Sequence, residues 1–450
     1  MSEAAPASYN RIFQLAWPAS VAASVTPLLG AVDVWALAQS DRPLDIAAVG
    51  LGAVIFSLAY WTFGFIRMSV AGLTAQATGA DDETEARAAL LRGGAIGAGI
   101  GLVLVLAQWP IGAVAFKALS IGSDATQETF AAARDYYAIR IWGAPFALSA
   151  YAAYGWMTAR ARTDYLMIVS VFMTALNIGL DYWFVVGLGW GAAGVAAGTL
   201  IAEIAGLIAC IVFIARILRA HGGIAEHWRA GAILEPGRLR RTISINFDVF
   251  IRTLLLAFSF SWFIQRSGAF GDVALAANQT LLQLFLFTGL ALDGTAIAAE
   301  TLVGRAIGAR DRKAGAARYA VAVRRTFILA VIAALVFVVF YWAADDALIG
   351  FLTPEGELRR AALAFMPWVI ISPLIVVIGF QLDGIFIGAT RMREMRNSMI
   401  VSAALFVAAS LLLADRFGNH GLWAAFSLYF LIRAGTLGAY FPRIKSVFKV

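Results

Sequence analysis

Long apolar runs, parted at fairly even intervals by short clusters of charge and turn residues, are the feature of this chain that most limits its fold. A helix needs about 20 apolar residues to cross a bilayer core, and the runs have that length. They are too long for barrel strands, which alternate over about 9–11 residues. Of the 450 residues, 61% are hydrophobic and 14% charged. So few charges cannot cover a water-soluble surface of that size. The expected fold is therefore an all-α integral membrane protein. Twelve spans are expected, near 12–38, 47–73, 90–114, 132–158, 164–188, 191–216, 241–267, 273–303, 317–343, 360–389, 395–414 and 418–441. The segment Met1–Asn10 is polar, lacks a basic n-region and precedes no small-residue cleavage site, so no removable signal peptide is expected.

Lys and Arg set the orientation. With the N-terminus inside, about 24 of them fall in cytoplasmic segments and about 7 in outer loops. The 216–241 connection holds Arg216, Arg219, Arg229, Arg238, Arg240 and Arg241, whereas outer loops carry Asp345, Asp346, Glu355 and Glu357. Both termini are expected to be cytoplasmic. The net charge of +7 follows from this bias and does not call for nucleic acid.

The chain resembles itself at a shift of 229 residues. Thr74–Asp82 (TAQATGADD) overlays Val303–Asp311 (VGRAIGARD), Gly155 falls on Gly384, and Ala47-Ala48 falls on Ala276-Ala277. Six spans separate the copies, and six is even, so the halves insert in the same direction as parallel repeats. The expected organisation is an N-terminal six-helix lobe over 1–216, a cytoplasmic linker over 217–240 and a C-terminal lobe over 241–450. Such duplication is typical of secondary transporters.

An ionisable side chain at the bilayer centre costs roughly 2.5–3.5 kcal/mol on insertion scales, so each needs a reason. Asp33, on span one, lies near the outer end. Asn177 and Asp181 stand one turn apart on one face of span five, and Thr199 lies near the outer start of span six. At 1.5 Å per residue, all four sit roughly 8–16 Å below the outer surface. Tyr136, Tyr137 and Arg140 on span four enter at a similar level. Two carboxylates in a low-dielectric pocket cannot both ionise cheaply and would titrate jointly, so the set suits a proton or Na⁺. The competing structural reading pairs the aspartates with Arg140 or uses them as helix caps. In the second half, Asp248 and Arg252 are spaced i,i+4 and suit an intrahelical ion pair. Asp293, Glu300 and Asp383 lie in the cytoplasmic half, where a structural or gating network is expected.

Pro18 removes a backbone hydrogen bond from the helix that carries Asp33, so a bend there could couple protonation to cavity shape. Single Cys210 excludes an internal disulfide framework. His221, His227 and His420 fall in or beside loops, which disfavours a histidine metal site in the membrane. Aromatic walls would favour flat cations.

Asn177–Gly194 (NIGLDYWFVVGLGWGAAG), followed by Thr199, resembles the fifth-to-sixth-helix signature of the multidrug and toxic compound extrusion (MATE) family. Ile66–Ala80 (IRMSVAGLTAQATGA) resembles the second-helix motif of its DinF-type branch, as do Leu292–Gly304 (LDGTAIAAETLVG) and Leu382–Thr390 (LDGIFIGAT). The resemblance covers nearly the whole chain. It implies two six-helix lobes in a V that export organic cations in exchange for H⁺ or Na⁺, without a cofactor. It also implies that Asp33, Asn177, Asp181 and Thr199 form a first-lobe ion site, that Tyr136 joins it, and that Pro18 is a helix-bending proline. Asp383 falls where other branches place part of a second-lobe cation site. Val70-Ala71 departs from the paired threonines usual in this branch.

The expected function is a multidrug or organic-cation exporter that alternates access between two lobes. H⁺ is the expected coupling ion and Na⁺ the alternative, with no other metal. The expected partners are small, cationic, aromatic substrates and membrane lipids. The chain is expected in the inner membrane, acting as a monomer. A lipid-linked precursor flippase of the same superfamily is the nearest rival. A membrane prenyl or acyl transferase is a more distant one, since the only acidic cluster, Asp81–Glu85, reads as a solvated loop.

Overall fold

A computed structural model describes residues 8–39, 43–121, 125–224, 226, 230–233, 235–353 and 356–448, with the side chains of 26–29, 31, 230 and 232 excepted. His227, Arg229 and Glu355 lie outside the described residues, as do Met1–Ala7. Every regular element among the described residues is helical. In order they are α1 Tyr9–Ala38, α2 Pro43–Phe63, α3 Phe65–Gly79, α4 Glu83–Leu106, α5 Gln108–Ser120, α6 Gln127–Arg140, α7 Ala144–Ala159, α8 Thr163–Asp181, α9 Gly191–Ala220, α10 Ala230–Ile233, α11 Pro236–Ser267, α12 Asp272–Gly308, α13 Arg312–Leu352, α14 Glu357–Gly388 and α15 Met392–Lys445.

Nine helical stretches among the described residues are long and apolar enough to cross a membrane. The last joins two helices across Gly418, whose φ of 58° is not helical. With α1 and the charge-bearing α6–α7 pair, the passes come to the expected twelve. Several expected spans are nevertheless broken. The second is interrupted at Gly64. The third begins earlier, at Glu83, and breaks at Ala107. The fourth tightens into a 3₁₀ turn over Ile141–Gly143, where Pro145 in the first turn of α7 lacks the N–H an unbroken helix would use. Other helices outrun the apolar segment: α13 runs 41 residues, because charged residues at a membrane surface do not end a helix.

The chain divides into two compact units, one of Met1–Ser20, Ala75–Asp81 and Ile243–Val450, the other of Val21–Thr74 and Asp82–Thr242. In the first, α12 and α14 cross where Gly384 leaves no room for a side chain. A Cβ there would stand 2.1 Å from the Ala296 carbonyl oxygen. An aromatic core of Phe263, Phe285, Phe406, Trp423, Phe426 and Phe430 lies in the same unit, with Leu292 of α12 and Val376 and Val377 of α14 in the same cluster. In the second unit Gly155 does the same work, 2.2 Å from the Arg67 carbonyl oxygen. Arg67 and Ala296 are themselves 229 residues apart, so the repeat extends to backbone contacts. The same shift relates Ala161 (φ 59°) to Thr390 (φ 53°), and Gly189 (φ 69°) to Gly418.

The acidic run Asp81–Glu85 is not a solvated loop. Asp82 caps α4 by accepting from the Glu85 N–H. Glu83 pairs with Arg87 and Arg160, and Glu85 pairs with Arg92 and Arg238. Arg87 is fully buried and donates to the carbonyls of His221, Gly223 and Glu226 beyond the end of α9.

Candidate functional site

Four helices of the second unit bring the expected first-lobe residues together. Asp33 comes from α1, Tyr136 from α6, Asn177 and Asp181 from α8, and Thr199 from α9. All five are buried. Asp181 is the last α-helical residue before a π turn over Tyr182–Gly187, an irregularity that recurs at functional sites. Gly198 lets the next helix close on it, since a Cβ there would lie 2.3 Å from Asp181 Oδ1.

The carboxyls of Asp33 and Asp181 are near enough to interact directly, and Asn177 neighbours Asp181. Asn177 Nδ2 donates to Thr199 Oγ1 over 3.3 Å. Thr199 Oγ1 donates its own proton to the Val195 carbonyl over 2.9 Å. These bonds leave Asp33 Oδ1, both Asp181 oxygens and Asn177 Oδ1 buried with no hydrogen-bond partner. Such a concentration of acceptors without donors is costly in a low-dielectric interior unless a positive group joins it.

Arg140 does not pair with the aspartates. Its guanidinium makes a two-pronged contact with Glu203 of α9, at 2.7 and 2.8 Å, and Nη1 also donates to Tyr60 OH over 3.2 Å. It lies over the Phe56 ring, 5.0 Å from the centroid. Tyr60 and Phe56 escaped assignment from sequence, whereas Glu203 was readable as an extension of the first-half network but its partner was not. Glu203 stands one turn beyond Thr199 and Arg140 one turn beyond Tyr136, so each extends a face already in use. Tyr137 leads away from the site and donates to the Gln108 carbonyl.

In the other unit, the expected intrahelical pair of Asp248 and Arg252 is not formed. Asp248 accepts from Arg396 at 2.5 Å, and Arg252 reaches Asp383 at 2.5 Å. Arg433 also donates to Asp383. Partners on other helices win because they place two guanidiniums on one buried carboxylate, which a single helical turn cannot do. Asp383 is therefore the centre of an arginine pair. Asp293 lies half-buried on α12, and Pro18 lies within α1. Among the described residues, no group of three or more His, Cys, Asp or Glu side chains could hold a metal ion.

Comparison with known proteins agrees with this architecture. The MatE family model matches residues 18–183 and 249–412, one block in each sequence repeat. DNA damage-inducible protein F of Escherichia coli is 34% identical over 440 residues, which cover 97% of this chain and 92% of that protein. A probable multidrug resistance protein NorM of Pseudomonas aeruginosa is 25% identical, over 85% of this chain and 78% of its own length. Among solved structures, MATE in complex with MaD3S superposes with a TM-score of 0.84 at 18% identity, covering 98% of this chain and 97% of that one. An outward-facing MATE transporter superposes at 0.82 and 17%, with the same coverage. These two share the twelve-helix fold. The chain is a multi-pass membrane protein, a transporter rather than an enzyme, and it belongs to the MatE family of multidrug efflux transporters.

Proposed function

We propose that this protein exports small organic, cationic and aromatic compounds in exchange for a cation bound by Asp33, Asp181, Asn177 and Thr199, with Tyr136 beside them. The observation that carries the reading is the set of four buried acceptor oxygens on two helices, with no donor among them. The proton is the favoured ion, because protonation of one aspartate turns an acceptor into a donor and lets the two carboxyls share a hydrogen bond. Na⁺ is the alternative. The cycle alternates access between lobes over 1–216 and 241–450, joined by 217–240, with a bend at Pro18 linking occupancy to cavity shape. The protein works in the inner membrane with both termini cytoplasmic, as a monomer in contact with lipid.

The energetics are adequate. A membrane potential of 100 mV contributes about 2.3 kcal/mol per charge, and one pH unit about 1.36 kcal/mol. Exchange of one proton for one monovalent cation cancels the potential, leaving about tenfold accumulation per pH unit.

Efflux of a panel of fluorescent cations from proteoliposomes, with pH and Na⁺ gradients imposed separately, tests the reading. Efflux driven by the pH gradient alone is the expected result. Efflux that follows only the Na⁺ gradient would make Na⁺ the ion, and efflux indifferent to both would remove the coupling role.

A further inference from the structure

Beside the aspartate pair lies a buried guanidinium that the exchange reaction does not need. Arg140 acts electrostatically on Asp33, and Tyr136, one turn away on the same helix, neighbours both. A cation so placed could pair with Asp33 permanently and leave no vacancy for a transported ion. It does not, because Glu203 holds both of its terminal nitrogens. The hold is built in. Gly143, in the 3₁₀ turn after α6, makes the room that Glu203 occupies: a Cβ there would stand 2.0 Å from Glu203 Oε2 and 3.0 Å from Arg140 Nη1. Tyr60 and the Phe56 ring occupy other sides of the guanidinium.

We propose that Glu203 is a positioning residue that sequesters Arg140, so that the Asp33–Asp181 pair stays free to take up its exchangeable cation. The proposal rests on the ion-site reading above. Three carboxyls and one guanidinium share this pocket. If Glu203 covers Arg140, the aspartates carry the whole of the uncompensated negative charge, and that charge is what an incoming cation neutralises. The other ionisable groups facing Arg140 and Glu203 are Tyr60 from α2, Tyr136 from α6, and Tyr151 and Tyr154 from α7. All are phenols, and none supplies a second fixed positive charge.

This arrangement predicts an asymmetry that a structural salt bridge would not give. Removing Glu203 alone should be worse for ion binding than removing both partners. The test uses the full chain in lipid and reads the protonated-carboxyl stretching band by infrared spectroscopy across pH, with Asp33→Asn identifying the site's share of the band. Glu203→Gln frees Arg140 to hold the aspartates ionised. A guanidinium in contact favours the ionised form by about 1–3 pH units, so the site's band at neutral pH should fall about tenfold or more. Arg140→Gln combined with Glu203→Gln should restore it. Gly143→Ala, which keeps every charge but crowds Glu203 off Arg140, should reproduce the loss and serves if Glu203→Gln does not fold. An unchanged band in Glu203→Gln, or a double variant as depleted as the single one, would overturn the proposal. A wild-type protein with no band that Asp33→Asn removes would overturn the reading of the aspartates as a proton site, and the sequestering role with it.

Discussion

Trp262 donates from its indole nitrogen to Ser410 Oγ over 2.8 Å, at the two positions that the 229-residue repeat places on Asp33 and Asp181. Asn177 and Thr199 fall in turn on Phe406 and Leu428. The scaffold is duplicated and the acidic chemistry is not: where one repeat sets two carboxyls, the other sets a satisfied neutral bond. Ser410→Ala should therefore cost only the net worth of one hydrogen bond, about 0.5–1.5 kcal/mol, and leave ion-driven transport intact. Denaturant unfolding and vesicle transport on the same variant check both halves of this expectation.

The crossings at Gly155 and Gly384 make a second prediction. The obstacle is a backbone carbonyl in both cases, so it cannot swing aside as a side chain would. Alanine at either position should destabilise by about 1–3 kcal/mol or more through overpacking. Gly379, on α14 with Gly384, has open space where a methyl would stand, with nothing within 4 Å. Gly379→Ala should be neutral, or stabilising by about 0.5–1 kcal/mol because helical glycine is entropically poor. Thermal unfolding in detergent distinguishes the two behaviours.

Asp383 anchors Arg252 and Arg433, and Arg433 is almost wholly buried. Asp383→Asn removes the charge that draws both guanidiniums together and should cost about 3–5 kcal/mol, the usual penalty for stranding a buried charge. Arg433→Met should be milder, since Arg252 still neutralises the carboxylate. Equal losses in the two variants, measured as unfolding midpoints, would contradict the arrangement.

At the polar end of α4 the two arginines differ sharply. Arg87 is buried against several carbonyls as well as Glu83, whereas Arg238 is 39% exposed beside Glu85 and Glu235. The Glu85 carboxylate raises the Arg238 guanidinium above its ordinary value, but solvent screens such a pair. Arg87→Gln should lose about 1.5–3 kcal/mol for its charged hydrogen bonds, and Arg238→Gln less than about 1 kcal/mol. Protein yield and thermal midpoint report the contrast.

The membrane passes were legible because lipid demands unbroken apolar length, and a run of that length has few other uses. Asp33, Asn177, Asp181 and Thr199 could be grouped by depth alone, since rise per residue converts position into height. What depth cannot give is rotation about the helix axis. Depth set Arg140 against Asp33 and Asp181 and left the partner of Glu203 open, and only the packing of α6 on α9 turns Arg140 to Glu203. Asp248 and Arg252 misled for the opposite reason. Their i,i+4 spacing permits a pair, but local spacing says nothing of Arg396 and Asp383, which approach from other helices. The breaks at Gly64 and Ile141–Gly143 and the π turn after Asp181 were also hidden, because apolar composition is the same on either side of each.

The central claim is that the buried aspartate pair carries the exchanged ion. Its most direct measurement follows ion movement rather than substrate movement. A pH-reporting dye trapped in vesicles records proton flux when a gradient of an exported fluorescent cation is imposed, with wild type, Asp33→Asn and Asp181→Asn compared at equal folded amounts. The account predicts substrate-dependent proton flux in the wild type and none in either variant. Undiminished proton flux in both variants would contradict it.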